Sequence, residues 1–207
     1  MSKYEFTNET KKIKDYLGDF RTLHRIKALK DFGDVHKGDL GGWVEKESNL
    51  SHEGNCWVYG NAMVYGNAMV FGDAKVFYAA QVYGNAQVFG SAEVYGNAQV
   101  FSHAQVLGDA EVYGNAQVFG HAKVFDSARV YGDAQVYGDA QVYGNVWVIG
   151  NAQVYGDAQV YGNVWVYGNA RVYDDAQVYG EAQVHGNARV CDNSLVCDDT
   201  EFFGDLI

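Results

Sequence analysis

The chain is predicted to be all-β, a solenoid of short stacked strands, and three observations carry that expectation. A valine recurs every six residues from Val58 to Val196, through 24 consecutive units without insertion or deletion. The units follow the consensus V-[YF]-G-[ND]-A-Q, whose period of six does not fit an amphipathic helix, which needs about 3.6. Proline is absent from all 207 residues, as suits a backbone committed to ladders of hydrogen bonds.

The elements can be justified in chain order. Residues 1–51 are not repetitive; "KYEF" and "TLHRIKAL" read as strands, and "GDVHKGDLGGW" as a glycine-rich connection. A first coil exposes unpaired strand groups, so this segment is expected to fold as a small β-hairpin cap. The half-unit "HEGNCW" at residues 52–57 keeps the frame of the repeat and reads as its run-in. The expected division is a cap over 1–51, the repeat array over 52–201, and a C-terminal tail or cap over 202–207. Charge shifts at the same boundary. Residues 1–51 hold ten Lys/Arg against nine Asp/Glu, and 52–207 hold five against seventeen.

Within a unit such as Gln135-Val136-Tyr137, residues alternate like a strand, with the β-branched valine facing inward. The Gly-Asn or Gly-Asp pair supplies a turn, because both residue types tolerate left-handed backbone angles. Alanine fills the crowded inner corner. Departures from consensus count the strands per coil. Val146 and Val164, Trp147 and Trp165, Glu93 and Glu111, and His103 and His121 all lie 18 residues apart. Eighteen residues is three units, so three strands make a coil and these pairs stack. The array then forms eight coils in a prism about 38 Å long.

The aliphatic residue followed four positions later by a small one, as in Val58 with Ala62 and Val64 with Ala68, resembles the hexapeptide-repeat left-handed β-helix. That resemblance implies a single-stranded, left-handed β-helix. Residues 26–62, with D-F-x-D-V, G-x-x-G-G-W-V, N-L-S and G-N-C-W-V in order, are similar to the lead-in segment of YdcK-type proteins. Those are bacterial β-helices labelled acetyltransferases, and similar arrays occur in phage and prophage proteins. The resemblance implies acyltransfer from acetyl-coenzyme A, with a trimeric site and a histidine on an interrupting loop. This array carries no such loop.

A net charge of −11 argues against direct nucleic-acid or anionic-membrane binding. No apolar run approaches a membrane span, and three cysteines do not suggest a disulfide framework, so a cytoplasmic protein is expected. His103 and His121 are weak candidates for a general base, with Asn85 and Asp139 as neighbours on the same edge. Cys191 and Cys197 fall on adjacent faces and Cys56 takes an alanine slot, so no metal site is expected. The stronger signals are surfaces. Tyr137, Tyr155 and Tyr173 belong to an aromatic ladder beside a glutamine ladder. Trp147 and Trp165, with Ile149 and Tyr167, form the most apolar outward patch. Asp139, Asp157 and Asp175 form an acidic stripe. The leading expectation is a non-catalytic interaction or scaffold module of phage or prophage type. It needs no cofactor, and it self-associates as a homo-oligomer or binds a protein partner through its aromatic faces. The alternatives are an acetyl-coenzyme A-dependent acyltransferase and an acidic decoy that occupies a nucleic-acid-binding enzyme.

Overall fold

In the computed structural model, which describes residues 2–15, 17–198 and 200–203, valine and alanine build a continuous interior column. Every array valine from Val58 to Val190 and every corner alanine from Ala62 to Ala188 is buried. The strands flank this column as three sheets of 11, 9 and 8 strands, hereafter the first, second and third faces. Successive coils pair in parallel and in register at the 18-residue interval, as in Val100 with Val118 and Val118 with Val136. The backbone N–H of Gln99 donates to the C=O of Ala116, and that of Phe101 to Val118, both at 3.0 Å. The three-strand coil and the β-helical architecture match the sequence expectation.

The coil count does not. Three longer strands open the chain: β1 (Tyr4–Lys14), β2 (Phe20–Ala28) and β3 (Leu40–Val44). β1 and β2 pair antiparallel, β2 pairs antiparallel with β3, and β3 then pairs in parallel with Met63–Val64. Leu50 bridges to Val70. The solenoid therefore begins within residues 40–58, one coil ahead of the hexapeptide array. Part of the expected connection over 33–43 is a strand. Its glycines hid that strand, and packing explains them: a Cβ on Gly41 would lie 2.5 Å from Ile26 Cγ1 and 2.6 Å from the Trp57 ring. Of the tail expected over 202–207, Phe202 belongs to the strand Glu201–Phe202, which pairs with Gln183–Val184; residues 204–207 lie outside the described residues.

The cap is bound to the first coils by both apolar and polar contacts. Leu23 of β2 packs on Tyr65 and Tyr83, with Ile13, Trp43 and Met63 around them. Lys3 is fully buried; its Nζ donates to the Cys56 carbonyl at 2.8 Å and lies 3.2 Å from Cys56 Sγ. Burial pulls the Lys3 ammonium below the usual lysine range, against the pull of Cys56, and pushes the Cys56 thiol up. Arg21 joins Asp15 at 2.7 Å and Glu45 at 3.1 Å, and Glu45 accepts the Gly66 N–H at 2.6 Å. No helix among the described residues is long and apolar enough to cross a membrane.

Strands lengthen in the region of Val146 and Val164, which stand where alanine is usual. The strands ahead of them run four residues, Gln141–Gly144 and Gln159–Gly162, where most strands of the array run two. The extra rungs Tyr143–Tyr161 and Gly144–Gly162 join the ladder. Arg129–Gly132 and Trp147–Gly150, which precede Ala134 and Ala152, lengthen in the same way, so the corner residue alone does not set strand length.

Because Gly41 faces two fixed side chains, Gly41→Ala is expected to cost about 1–3 kcal/mol. Urea denaturation should show the lower midpoint.

Candidate functional site

Outward residues differ sharply among the three faces. On the first face glutamines stack as an amide ladder, Gln117 to Gln135 to Gln153, with Nε2–Oε1 distances of 3.4 and 3.2 Å. The third face carries a similar pair, Gln87 and Gln105, at 3.4 Å. The second face instead presents Lys75, Glu93, Glu111, Arg129, Trp147 and Trp165 in register. Glu111 accepts from Arg129 Nε at 3.0 Å and from the Tyr95 hydroxyl at 2.8 Å. Burial, and then the Glu111 carboxylate, push the Tyr95 hydroxyl up. The Arg129 guanidinium lies 5.2 Å from the Trp147 ring centroid, and Trp147 stacks on Trp165 at 4.7 Å. Trp165 is 42% exposed.

At the cap end of the same face lies a groove of about 640 Å³, lined by Asp34, Tyr59, Lys75, Phe77, Tyr78 and Glu93 among others. It exists because one unit, "VFYAAQ" at 76–81, lacks the Gly-Asn turn. Tyr78 stands where glycine belongs and holds φ at +60°. The other non-glycine residues with positive φ among those described are Ser102, Asp126, Asp174, Asp192 and Asp198. Those are small and polar; a bulky ring in this region is a true outlier. Tyr78 is 68% exposed and tilts at 50° to Phe77, with centroids 5.3 Å apart. Tyr59 meets Phe77 edge-on at 6.3 Å. The coils also part here. A Cβ on Gly60 would meet nothing within 4 Å, whereas one on Gly90 would lie 2.8 Å from the next coil's Gly108 nitrogen.

Polar groups close one side of the groove. Asp34, from the cap, accepts the Tyr59 hydroxyl at 2.7 Å and the Lys75 ammonium at 3.0 Å. The Tyr59 hydroxyl first, and Lys75 next, hold the Asp34 carboxyl below the usual carboxylate range, against its own burial. Burial and the Asp34 carboxylate in turn push the Tyr59 hydroxyl up. Sequence reasoning missed this groove, although the one unit with Tyr-Ala in place of Gly-Asn was visible. Asp34 gave no signal, because only tertiary folding brings it there.

Each residue singled out in the sequence can be placed. Trp147, Trp165, Ile149 and Tyr167 share the second face, and Tyr167 stacks on His185 at 4.9 Å. Tyr137, Tyr155 and Tyr173 stack on the first face at 4.8 and 5.0 Å. Their rings are half-buried because each covers the next, so this ladder offers much less open apolar area than a free row of tyrosines would. His103 and His121 stack at 4.7 Å on an exposed edge, and the Asn85 amide meets His103 Nε2 at 3.0 Å. Asp139, Asp157 and Asp175 continue that edge in exposed positions. The structure thus brings the tryptophans together and the histidines together, but on separate surfaces. Among the described residues, no group of three or more His, Cys, Asp or Glu could hold a metal ion.

Comparison with known proteins adds two findings. The family profile described as the YdcK beta solenoid repeat matches residues 58–70, 80–96, 134–150, 140–156, 152–168 and 165–180. The Escherichia coli (strain K12) protein named Uncharacterized acetyltransferase YdcK is 51% identical over 37 residues. That stretch is 18% of this chain and 11% of the relative's length, so the match spans about a tenth of that protein.

Two outcomes are expected at the groove. Tyr78→Gly restores the residue the turn favours and should raise stability by about 1 kcal/mol in thermal denaturation. Asp34 has a depressed pKa, so its contribution is present above about pH 4 and lost as pH falls through the lowered value. Urea denaturation at neutral pH and near pH 3 should therefore show a smaller acid loss in Asp34→Asn than in the parent.

Proposed function

Taking the array as a β-solenoid of YdcK-type repeats, we propose that the chain is a non-catalytic interaction module that self-associates through its second face. The observation that carries this reading is the Trp147–Trp165 stack, with Trp165 42% exposed. On the other two faces some glutamine amides pair with one another, as Gln117, Gln135 and Gln153 do, and the rings beside them cover one another. Arg129 leans on Trp147, and Trp147 stacks on Trp165. No ring continues the stack, since Gln183 is the next residue in register, and Trp165 stays 42% exposed. Tryptophan and arginine dominate the energetics of protein interfaces, because they bury much area and still keep polar groups. A rigid prism presents such a patch at little entropic cost, since the coils are already ordered. The fold needs no cofactor to do this, and a second copy of the chain is the partner supported by the patch's self-complementary indole rings.

A second reading, acyl transfer from acetyl-coenzyme A, is favoured by the printed name of the relative. The described coils Val58–Val196 contain no protruding loop to frame an acyl-donor site. His103 and His121 are solvent-facing, and the one hydrogen-bonding neighbour there is an asparagine amide rather than an orienting carboxylate.

Sedimentation equilibrium should show an oligomer for the parent chain and a folded monomer for Trp147→Ser with Trp165→Ser. A parent that stays monomeric, or a double variant that still assembles, removes the reading. A marked rise in melting temperature with acetyl-coenzyme A would transfer support to the acyltransferase.

A further inference from the structure

The geometry points to the groove walled by Tyr59, Phe77 and Tyr78 as a binding site for a small organic cation. Its ligand would be an ammonium head on a short apolar body, with Glu93 as the counter-charge. The groove lies on the face that carries the tryptophan patch, but three coils away, and its occupancy does not depend on self-association.

Three independent features support the site. The first is backbone strain. Tyr78 is the single bulky residue among the described positive-φ positions, and its unit also gives up the turn asparagine for Ala79. That exchange interrupts an amide ladder which resumes below it as Asn97, Asn115 and Asp133 at 3.1 and 2.9 Å. Stability is sacrificed at one corner to place an exposed ring, and such outliers concentrate at ligand sites.

The second feature is the arrangement of the rings. Tyr59 and Phe77 meet at 83°, and Phe77 and Tyr78 at 50°. Phe77 also stacks on Tyr95 at 4.7 Å, which covers one of its faces. Tyr78, 68% exposed, leaves most of its ring open beside it, and an open aromatic face attracts a cation. A volume of about 640 Å³ falls within the range of small-molecule sites.

The third feature is charge. Of the acidic groups in this region, Asp39 accepts the His36 N–H, Asp34 is matched by Tyr59 and Lys75, and Glu111 by Tyr95 and Arg129. Glu93 sits half-buried between them, and its carboxylate has no hydrogen-bond or ion-pair partner among the described residues. Lys75 pairs with Glu93 in the strand register, yet its ammonium is drawn to Asp34 instead. Like charge is also close, since Glu93 and Glu111 are register partners. A half-buried, unmatched carboxylate beside aromatic rings is complementary to a cation with an apolar shell, because the Lys75 ammonium that also lines the groove is held by Asp34.

Calorimetric titration of the full chain with choline, and with its neutral carbon analogue 3,3-dimethylbutan-1-ol, tests the site. Choline should bind saturably and about tenfold more tightly than the neutral analogue. Glu93→Gln should weaken choline about tenfold, and Tyr78→Gly, which relieves the backbone and so keeps the fold, should abolish binding. The Trp147→Ser, Trp165→Ser variant should bind choline as the parent does. Absence of saturable heat at choline on the order of 10 mM, equal affinity for the two probes, or full binding by Tyr78→Gly would overturn the proposal. Loss of binding in the tryptophan variant would also overturn it, by placing the site elsewhere. An N-acetylated trimethyllysine amide that bound more than about tenfold tighter than choline would assign the groove to a partner's side chain and overturn the small-ligand assignment.

Discussion

The backbone hydrogen bond from each coil to the next supports everything else in this protein. The N–H of residue n donates to the C=O of residue n + 17, as from Met63 to Ala80 at 2.9 Å and Gln87 to Ala104 at 2.9 Å. Parallel pairing places identical positions directly above one another, so every side chain meets its own repeat. Valines then meet valines in the column, tyrosines stack at 4.6–5.3 Å, and asparagine amides link at 3.1 Å. One inserted residue would shift a whole strand to the opposite face and break all three ladders at once. The uninterrupted spacing from Val58 to Val196 is the covalent record of that constraint.

The corners are the second constraint, and the one that leaves room for variation. Each coil turns at residues with left-handed angles while its backbone lies against the next coil, so glycine is favoured twice, for its φ and for its missing Cβ. Gly84 shows both, with φ at +72° and a Cβ that would lie 2.9 Å from the Ser102 nitrogen. Serine and aspartate accept such angles at modest cost. Tyr78 does not, and the coils open beside it at Gly60. Around Val146 and Val164 several strands run to four residues and extra rungs join the ladder, on the second and third faces alike.

Several departures with chemical consequence share one face. The second face carries the ion-paired Arg129 and Glu111, the tryptophan stack, and the groove to which the cap contributes Asp34. The other faces carry glutamine ladders in part, with amide pairs at Gln87–Gln105 and Gln117–Gln135–Gln153. The cap contributes more than end protection. It completes the first coil through β3, buries Tyr65 and Tyr83 under Leu23, and closes one wall of the groove. Other departures from the repeat lie elsewhere, as at Ser102, Asp126 and Asp174, whose turns follow strands of the first and third faces.

Much of this was legible before any coordinates. The six-residue period, the 18-residue spacing of departures, and the β-branched alternation determined the three-strand coil, the inward valines and the stacking of Trp147 on Trp165. They did so because a repeat transmits local pattern directly into space. Only the tertiary structure decided the rest. β3 was hidden, because its glycines record close approach to Ile26 and Trp57 rather than a turn. The half-burial of Tyr137, Tyr155 and Tyr173 came from their mutual stacking, which a count of outward residues does not measure. The groove required Asp34 and Glu93, 59 positions apart and from two different kinds of structure, to meet across the cap. The sequence by itself determined what repeats, since periodic contacts are local and identical. The fold alone decided what does not repeat, because those contacts join segments that no period relates.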